Sequence, residues 1–363
     1  MTLIKVKTRG TENVSGRRNI MYNGAMKIAQ RGDQTSLTNG YTGCDRWKFD
    51  RSGAAVVTGK QTGSGNIPEN GFPNAVHIDV TTADSSVAAG DLGLLRQYIE
   101  SQDLQHLKFG TSSAESLTLS FWVKSPKTGT HWVEIYAYDA AKFNSASYTV
   151  SSANTWEKKT VTFVGETSTV IPNDNTHGFV VQWWLMAGST YSSGTHAGNV
   201  WHATNANRVP GQVNVLDNTS NNFYLTGVQL EVGSLTEFEH RSFDEELILC
   251  QRYYQKSYVY ETVPGTATQH GSWSTGGHQG GTSTAYVEGV INFERLMRAT
   301  PTITLYDHNG NSNKCARLAT GVARYQNESI STSQVNARGI TMYSTTGTAA
   351  GIVQGHYTAQ AEL

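Results

Sequence analysis

The chain has 363 residues, of which 37% are hydrophobic, 10% aromatic and 16% charged, whereas a typical soluble domain has about 25% charged residues. Its 28 basic and 29 acidic residues give a formal net charge of -1, so no long-range field attracts nucleic acid or anionic lipid. Aromatic residues at this frequency bury too much area for a disordered chain. The composition therefore predicts a turn-rich β protein that binds no nucleic acid and does not insert into membranes.

The N-terminal segment Met1–Arg18 is charged and polar and lacks the apolar core of a signal peptide. We interpret it as an arm that gains order by docking to a partner. The longest apolar run, FVVQWWLMA, is far shorter than the roughly 20 residues that span a bilayer. The cysteines, Cys44, Cys250 and Cys315, form no C-x-x-C pair, which predicts neither a disulfide framework nor a zinc site. Such cysteine usage is typical of a protein folded in a reducing cytoplasm.

Residues 19–241 carry a period-two alternation of apolar and polar side chains, the pattern of strands with one buried face. The stretches with this pattern include AVHIDV, SLTLSFWVK, THWVEIYAYD, KKTVTF and NFYLTGVQLEV, and polar turn clusters separate them. Leu117–Asp139 is interpreted as two strands around a turn. Leu95–Leu107 favours a strand over a short helix. Several short antiparallel strands predict a jelly-roll β-sandwich for this domain.

One helix signal follows, at SFDEELILCQRYYQKSY. Ser242 and Glu245 have the spacing of a capping box, and Leu247, Cys250 and Tyr254 recur at helical spacing. The pattern predicts a neck helix over residues 242–260. Residues 261–363 then return to β patterns, which predict a smaller β-sandwich as a C-terminal tip.

Two pairs of carboxylates are candidates for cutting glycans, Glu134 with Asp139 and Glu231 with Glu239. Neither pair lies in a recognisable catalytic motif, and the sequence has no nucleophile elbow, P-loop or dinucleotide-binding motif. The histidines lie on or beside predicted turns, where exposed polar residues are the simplest interpretation. We therefore expect no enzyme activity, no cofactor and no metal site.

The second strand of Leu117–Asp139 carries Trp132, Glu134, Tyr136 and Tyr138 on the face opposite its apolar core residues. The flat rings suit stacking against a pyranose, and the carboxylate suits its hydroxyls. The candidate glycan-binding residues are Trp132, Glu134, Tyr136, Tyr138, Tyr191, Trp201 and Trp273. A subunit interface or a satellite core beneath long loops is the alternative, and both interpretations stay open for Trp132, Tyr136 and Tyr138. Packing or an interface is favoured for three further residues: Trp122, Trp183 and Trp184.

Several segments occur in an order that resembles a known family: NIMYNGAMKIAQRG, GYTGCDRWKF, LTLSFWVKSPKTGT, NTWEKKTVTF and NFYLTGVQLEVGS. Together with EFEHRSFDEELILCQRYYQ and MRATPTITLYD, they are similar to a domain of structural proteins, especially tail fibres, of marine and cyanobacterial tailed phages. The resemblance spans residues 19–306. It implies a jelly roll like that of carbohydrate-binding modules, a virion location and a homotrimer, but no shared ligand site. Arg46, Glu239 and Arg241 are expected to form internal ion pairs or stacking contacts.

The resemblance predicts a non-enzymatic phage tail fibre or receptor-binding protein, made in the host cytoplasm and located in the tail of the virion. Met1–Arg18 would dock to tail or baseplate proteins, and the β domains would bind host surface polysaccharide or lipopolysaccharide. Leu247, Cys250 and Tyr254 would pack three chains together at the neck. The alternatives are a structural baseplate or tail component without receptor binding and, as a third possibility, a polysaccharide depolymerase.

Overall fold

Two six-stranded antiparallel sheets face each other in the region predicted as a jelly roll. The computed structural model describes residues 18–63, 65–68, 71–275, 287–319, 324–344 and 351–363, so the predicted docking arm lies outside the described residues except for Arg18. The strands of the two sheets are β1 Gln34–Leu37, β2 Asn39–Tyr41, β3 Lys48–Ser52, β4 Val56–Thr62, β5 Ala75–Thr82, β6 Leu92–Glu100, β7 Leu117–Lys124, β8 Gly129–Ala137, β9 Lys142–Val150, β10 Glu157–Phe163, β11 His177–Ala187 and β12 Asn222–Val232. Sheet I has the order β1-β4-β5-β12-β7-β10, and sheet II has the order β2-β3-β6-β11-β8-β9.

The inner faces of the two sheets form one apolar core, as the alternation predicted. Leu119 and Phe121 of β7 are fully buried in it, and so is Val133 of β8. Burial of one such side chain stabilises the fold by roughly 1.5–3 kcal/mol. Two large rings, Trp47 and Trp183, meet in this core with their centres 5.5 Å apart. The prediction of an all-β jelly-roll sandwich is confirmed.

Strands β7 and β8 lie in different sheets, so Leu117–Asp139 is not a hairpin. β7 pairs with β10 and β12, whereas β8 pairs with β9 and β11. The short connection 125–128 therefore crosses from one sheet to the other. Alternation indicates which face of a strand is buried, but it does not identify the strand's partner.

Leu95–Leu107 is half strand and half helix. β6 ends at Glu100, and a 3₁₀ helix, Ser101–Leu107, follows it directly. The prediction of a strand was therefore wrong for the second half of the stretch. Leu104 and Leu107 are buried one helical turn apart, which explains why their spacing did not fit a strand.

The C-terminal part is a second, smaller pair of sheets. Its strands are β13 Tyr254–Lys256, β14 Trp273–Thr275, β15 Val287–Asn292, β16 Thr302–Tyr306, β17 Lys314–Ala319, β18 Arg324–Ser329, β19 Ser331–Asn336, β20 Gly339–Ser344 and β21 Gly351–Gln360. β21 pairs with β13, β14, β16 and β17, while β15, β20 and β19 form a three-stranded sheet. Ile340 and Met342 from that sheet share an apolar cluster with Tyr357 and Ala359 of β21. The prediction of a smaller C-terminal β-sandwich is confirmed.

Besides the 3₁₀ helix Ser101–Leu107, three short helices lie outside the sheets in the described part of the chain. They are α1 Ser189–Ser192, a 3₁₀ turn Asn205–Asn207, and α2 Phe243–Gln251. The predicted capping box is present at the start of α2, where the Ser242 side chain accepts the Glu245 N–H and the Glu245 carboxylate accepts the Ser242 N–H. Among the described residues, no helix combines the length and the apolar character needed to cross a membrane.

The predicted stripe of Leu247, Cys250 and Tyr254 is not formed, because α2 ends at Gln251. Tyr254 lies instead in β13, opposite Gln360 of β21. The backbone N–H and C=O groups of β13 form hydrogen bonds with β21, so they are not available to continue the helix. Cys250 and Tyr254 are buried in the interior of the single chain, while Leu247 is half-buried. Cys250 and Tyr254 therefore have no surface to offer to neighbouring subunits.

Buried ion pairs join the two sandwiches. The fully buried guanidinium of Arg46 pairs with Glu362, which follows β21, and lies 3.4 Å from the centre of the Tyr253 ring. The Glu100 carboxylate at the end of β6 accepts two hydrogen bonds from Arg252, each 2.7 Å long, and one from the Tyr253 hydroxyl at 2.5 Å. These contacts confirm an internal role for Arg46, and they attach the smaller sandwich directly to the end of β6.

The expected pair of Glu239 and Arg241 is also present, with 3.3 Å between the carboxylate and the guanidinium. Cys44, Cys250 and Cys315 are all buried and none is part of a disulfide. Burial raises the pKa values of the Cys44 and Cys250 thiols well above the usual range for cysteine. Both thiols therefore stay protonated and unreactive. The described residues contain no group of three or more His, Cys, Asp or Glu that could hold a metal ion.

Candidate functional site

The outer face of sheet II carries the aromatic residues that alternation placed on β8. The register puts Glu134 opposite Gln182 and Tyr136 opposite Val180 of β11, and Val180 opposite Tyr98 of β6. Residues paired in this way share one face of a sheet. The face is therefore continuous across β6, β11 and β8, and it divides into a covered half and an open half.

The covered half lies beneath the connection between β11 and β12, residues 188–221, which we name the covering loop. Trp132 is only 4% exposed, and its Nε1–H donates to the Pro210 carbonyl at 3.0 Å. Trp184 is fully buried and shares a small apolar cluster with Trp132 and Val209. The satellite-core interpretation therefore applies to this half of the face.

The Glu134 carboxylate is the polar centre of the covered half and is fully buried. It accepts two hydrogen bonds from Arg208 of the covering loop, at 2.5 and 3.0 Å. Gln182 and Ser145 donate one more each, at 2.6 and 2.8 Å. Four donors occupy the acceptor sites that two carboxylate oxygens offer. Glu134 therefore anchors the covering loop and is not poised to protonate a glycosidic oxygen.

The open half carries a row of rings that we name the tyrosine row, consisting of Tyr136, Tyr138, His177 and Tyr98. Tyr138 is 50% exposed. Its ring centre lies 5.7 Å from that of Tyr136 and 5.0 Å from that of His177, which in turn lies 5.1 Å from Tyr98. The spacings of about 5 Å between His177 and its two neighbours are close to the roughly 4.8 Å between adjacent strands. Tyr98 is itself only 7% exposed, so the accessible part of the row consists of Tyr138 with the half-buried Tyr136 and His177.

Charged side chains border the row at Tyr98. Arg96 donates from Nε to Asp50 at 2.6 Å, and its guanidinium lies 5.0 Å from the centre of the Tyr98 ring. The Lys48 ammonium lies 5.4 Å from the same centre. Burial, assisted by neighbouring cations, lowers the pKa of His177, so its ring is neutral at pH 7 and offers one donor and one acceptor. Hydrogen-bonding groups therefore lie beside the stacking surface.

A cavity of about 470 Å³ continues the same face beyond Lys48. Its lining includes Arg31, Tyr41, Lys48, Gln360 and Glu362. At the other end of the row, Asp139 is exposed beside Tyr138, and the Ser101 hydroxyl donates to its carboxylate at 3.4 Å. The row is thus bounded by polar groups at both ends.

No protein-family model matches the chain, and no curated protein matches its sequence. Among solved structures, the chain is similar to the enzymatically active domain of bacteriophage CBA120 tailspike protein 4, with 14% identity and a TM-score of 0.30, over 55% of this chain and 21% of that chain. It is also similar to a family 11 carbohydrate-binding module of a Clostridium thermocellum cellulase, with 12% identity and a TM-score of 0.28, over 58% and 99% of the two chains. A cyclase from Fischerella sp. TAU shows 9% identity and a TM-score of 0.35, over 61% and 100%. Values this low assign no function.

The structure separates the predicted glycan-binding residues into three groups. Tyr136 and Tyr138 lie in the tyrosine row, and their contact with glycan stays a prediction. Trp132, Glu134 and Tyr191 lie under or within the covering loop, where the Tyr191 ring packs 5.3 Å from that of Trp184. Trp132 and Glu134 are buried beneath the loop, whereas Tyr191 is half-buried within it, and its contact with glycan stays a prediction.

Trp201 and Trp273 are outside the face. Trp201 packs beside Phe109 at 5.5 Å, and its Nε1–H donates to the Val164 carbonyl at 2.7 Å. Trp273 lies in β14 of the smaller sandwich and packs against its apolar clusters. Both side chains are half-buried, so each contributes mainly to packing.

Sequence reasoning missed Tyr98 and His177 as members of the site. Tyr98 lies within the stretch Leu95–Leu107, where alternation with Leu95 and Ile99 in the core already placed it on the outer face. His177 was interpreted as a turn residue, but it begins β11. The alternation pattern could therefore have identified Tyr98 as an outer-face residue. Identifying His177 would have required knowing where β11 begins.

Proposed function

We propose that the tyrosine row binds glycan and that the protein is a non-enzymatic adhesin. The observation that supports this proposal is the row itself, in which Tyr138 is half exposed between Tyr136 and His177. Aromatic rings give large contact area at low entropic cost and orient their partners through polar tips. A pyranose would stack on these rings while Arg96 and Asp139 bind its hydroxyls.

We propose a place for this adhesin in the tail of a phage virion, as a tail fibre or receptor-binding protein. The support is the resemblance of residues 19–306 to tail-fibre proteins. In a homotrimer, three weak glycan sites would act together and raise the apparent affinity without any new contact. The docking arm, Met1–Arg18, would connect the fibre to tail or baseplate proteins.

The carboxylates support binding without bond cleavage. Glu134 is saturated by its donors, and Glu231 accepts bonds from Gln229 at 2.9 Å and from the Thr236 hydroxyl at 2.6 Å. Glu239 is bonded to the N–H of Asn19 at 2.9 Å. Each carboxylate therefore stabilises the fold. Release of reducing ends from host polysaccharide would instead identify a depolymerase.

The test compares two tyrosines of similar exposure. Tyr138 is 50% exposed, and Tyr325 of the smaller sandwich is 46% exposed. We expect Tyr138→Ala to bind host polysaccharide or lipopolysaccharide about 5–10-fold more weakly, which corresponds to roughly 1–1.4 kcal/mol. Tyr325→Ala should bind like the native chain. Equal binding by both variants would overturn the tyrosine row as the site, and no binding by the native protein would favour a purely structural virion component.

A further inference from the structure

The outer face of sheet I carries a second aromatic surface that the proposed function does not use. The register places Lys60 opposite His77, His77 opposite Tyr224, and Tyr224 opposite Lys124. These four residues therefore form one line across β4, β5, β12 and β7. Trp156, just before β10, extends the line, because the Lys124 ammonium lies 5.6 Å from its ring centre.

The members of this line are packed into a fixed arrangement. The rings of His77 and Tyr224 are nearly parallel, 17° apart in angle and 4.2 Å apart at their centres. The Lys124 ammonium lies 4.4 Å above Tyr224, and the Tyr224 and Trp156 ring centres are 6.2 Å apart. His77 and Tyr224 are only 7% and 9% exposed, so they form a fixed base that holds the half-buried Lys124 and Trp156 in place for a ligand.

A parallel line contains Trp122 opposite Lys158. Trp122 is half-buried, and its ring, like that of Phe72, lies close to Gly227 in the bulge of β12. A Cβ atom at Gly227 would lie 2.9 Å from Trp122 Cδ1 and 2.8 Å from Phe72 Cζ. A side chain at this position would therefore displace the ring of Trp122 or that of Phe72.

The charge of this surface is positive. Lys60 pairs with Asp79 at 3.3 Å. Lys124 donates to the Asn66 side-chain oxygen at 2.9 Å. Within the described residues, neither Lys124 nor Lys158 lies within ion-pair distance of a carboxylate. Burial lowers the pKa of Lys124, and a bound anion would relieve that cost.

We infer that this face, defined by Trp122, Lys124, Trp156 and Lys158 above the buried Tyr224, binds an acidic polysaccharide. Sugar rings would stack on Trp122 and Trp156, and sugar carboxylates would pair with Lys124 and Lys158. The inference does not depend on the tyrosine row, which lies on the opposite side of the sandwich. A second copy of the chain fits less well, since a two-fold contact would bring the same lysines together. Nucleic acid fits less well, because its affinity requires many phosphate contacts and the chain has a net charge of -1.

The test uses the full chain and polygalacturonate, with its fully methyl-esterified form as a neutral ligand of the same backbone. We expect the native protein to bind polygalacturonate more tightly than the ester, with affinity that falls as salt rises. The double variant Lys124→Gln/Lys158→Gln should bind polygalacturonate at least 10-fold more weakly. The matched control is Lys108→Gln, a 55% exposed lysine paired with Glu115 outside this face, and it should bind normally.

The double variant Lys124→Gln/Lys158→Gln separates this inference from the proposed function, since its affinity for the neutral methyl ester should equal that of the native chain. Circular dichroism of each variant confirms that the β fold is retained. The inference is overturned if the native protein does not retain polygalacturonate at low salt, or if the double variant binds it as tightly as the native chain. Tighter binding of a single-stranded oligonucleotide than of polygalacturonate would also overturn it, in favour of nucleic acid.

Discussion

Arg208 lies on the covering loop and donates two hydrogen bonds to Glu134 on the outer face of sheet II, at 2.5 and 3.0 Å. The pair fastens the loop over the covered half of the face. It explains why so many aromatic residues occur on a face that alternation marks as polar, because Trp132 and Trp184 form a small core under the loop. The covering loop leaves Tyr138 of the tyrosine row half exposed on this side.

Loss of Arg208 should strongly destabilise the protein. Arg208→Ala leaves the buried Glu134 carboxylate without its cation, and breaking a buried pair in this way costs about 3–5 kcal/mol. The double variant Glu134→Gln/Arg208→Gln removes both charges and should recover a large part of that loss. Urea unfolding of the three proteins checks this, and equal stability of the single and double variants would show that the charge of Glu134 is not the cause.

The sequence contains little information on such long-range pairs. Glu134 and Arg208 lie 74 positions apart along the chain, and no local pattern connects them. Alternation predicted the buried face of β7 and β8 correctly because it depends only on neighbouring residues. It could not show that the two strands belong to different sheets, since pairing partners are selected by the packing of the whole sandwich.

The dependence on long-range pairing also explains why the predicted neck helix is shorter than expected. The capping box at Ser242 and Glu245 was predicted correctly, because both of its hydrogen bonds are local. The end of the helix was wrong, because pairing with β21 draws Tyr254 into a sheet. The tyrosine row was recognised only in part for a related reason, since Tyr98 lies in β6, His177 lies in β11 and Tyr138 directly follows β8.

Gly227→Ala should cost more stability than Gly233→Ala. Both glycines have left-handed φ angles, +60° and +75°, which cost an alanine about 1–2 kcal/mol. At Gly227 the added Cβ would also press on Phe72 and Trp122, and overpacking costs about 1–3 kcal/mol more. At Gly233 nothing lies within 4 Å of that position. Thermal or urea unfolding measures the difference, and equal losses would contradict the close packing at Gly227.

Ser242→Ala should lower the free energy of unfolding by about 0.5–2 kcal/mol, because it removes the side chain that caps α2. Ser242→Asp keeps an acceptor for the Glu245 N–H and should retain most of the stability. The two variants differ in this acceptor, so comparing their urea midpoints isolates the cap. Equal midpoints would show that the cap does not contribute to folding.

Stability should fall as the solution becomes acidic, because several histidines are buried. Burial lowers the pKa of His131, His77 and His356 in the folded chain, whereas a histidine in the unfolded chain titrates near 6.5. Below about pH 6.5 the unfolded chain therefore binds protons that the folded chain does not, and the free energy of unfolding decreases. The effect is absent above about pH 7.5, where both states are neutral.

His131 offers a direct test of that dependence. It is fully buried, and its Nε2 is bonded to the Lys127 carbonyl at 2.9 Å. His131→Gln keeps a donor but does not titrate, so its free energy of unfolding should vary less between pH 7 and pH 5 than that of the native protein. At pH 8, where the histidine is neutral in both states, the difference in free energy of unfolding between His131→Gln and the native protein gives the packing cost of the substitution. That cost is subtracted from the difference measured at pH 5. An unchanged pH slope would show that His131 takes up its proton equally in both states.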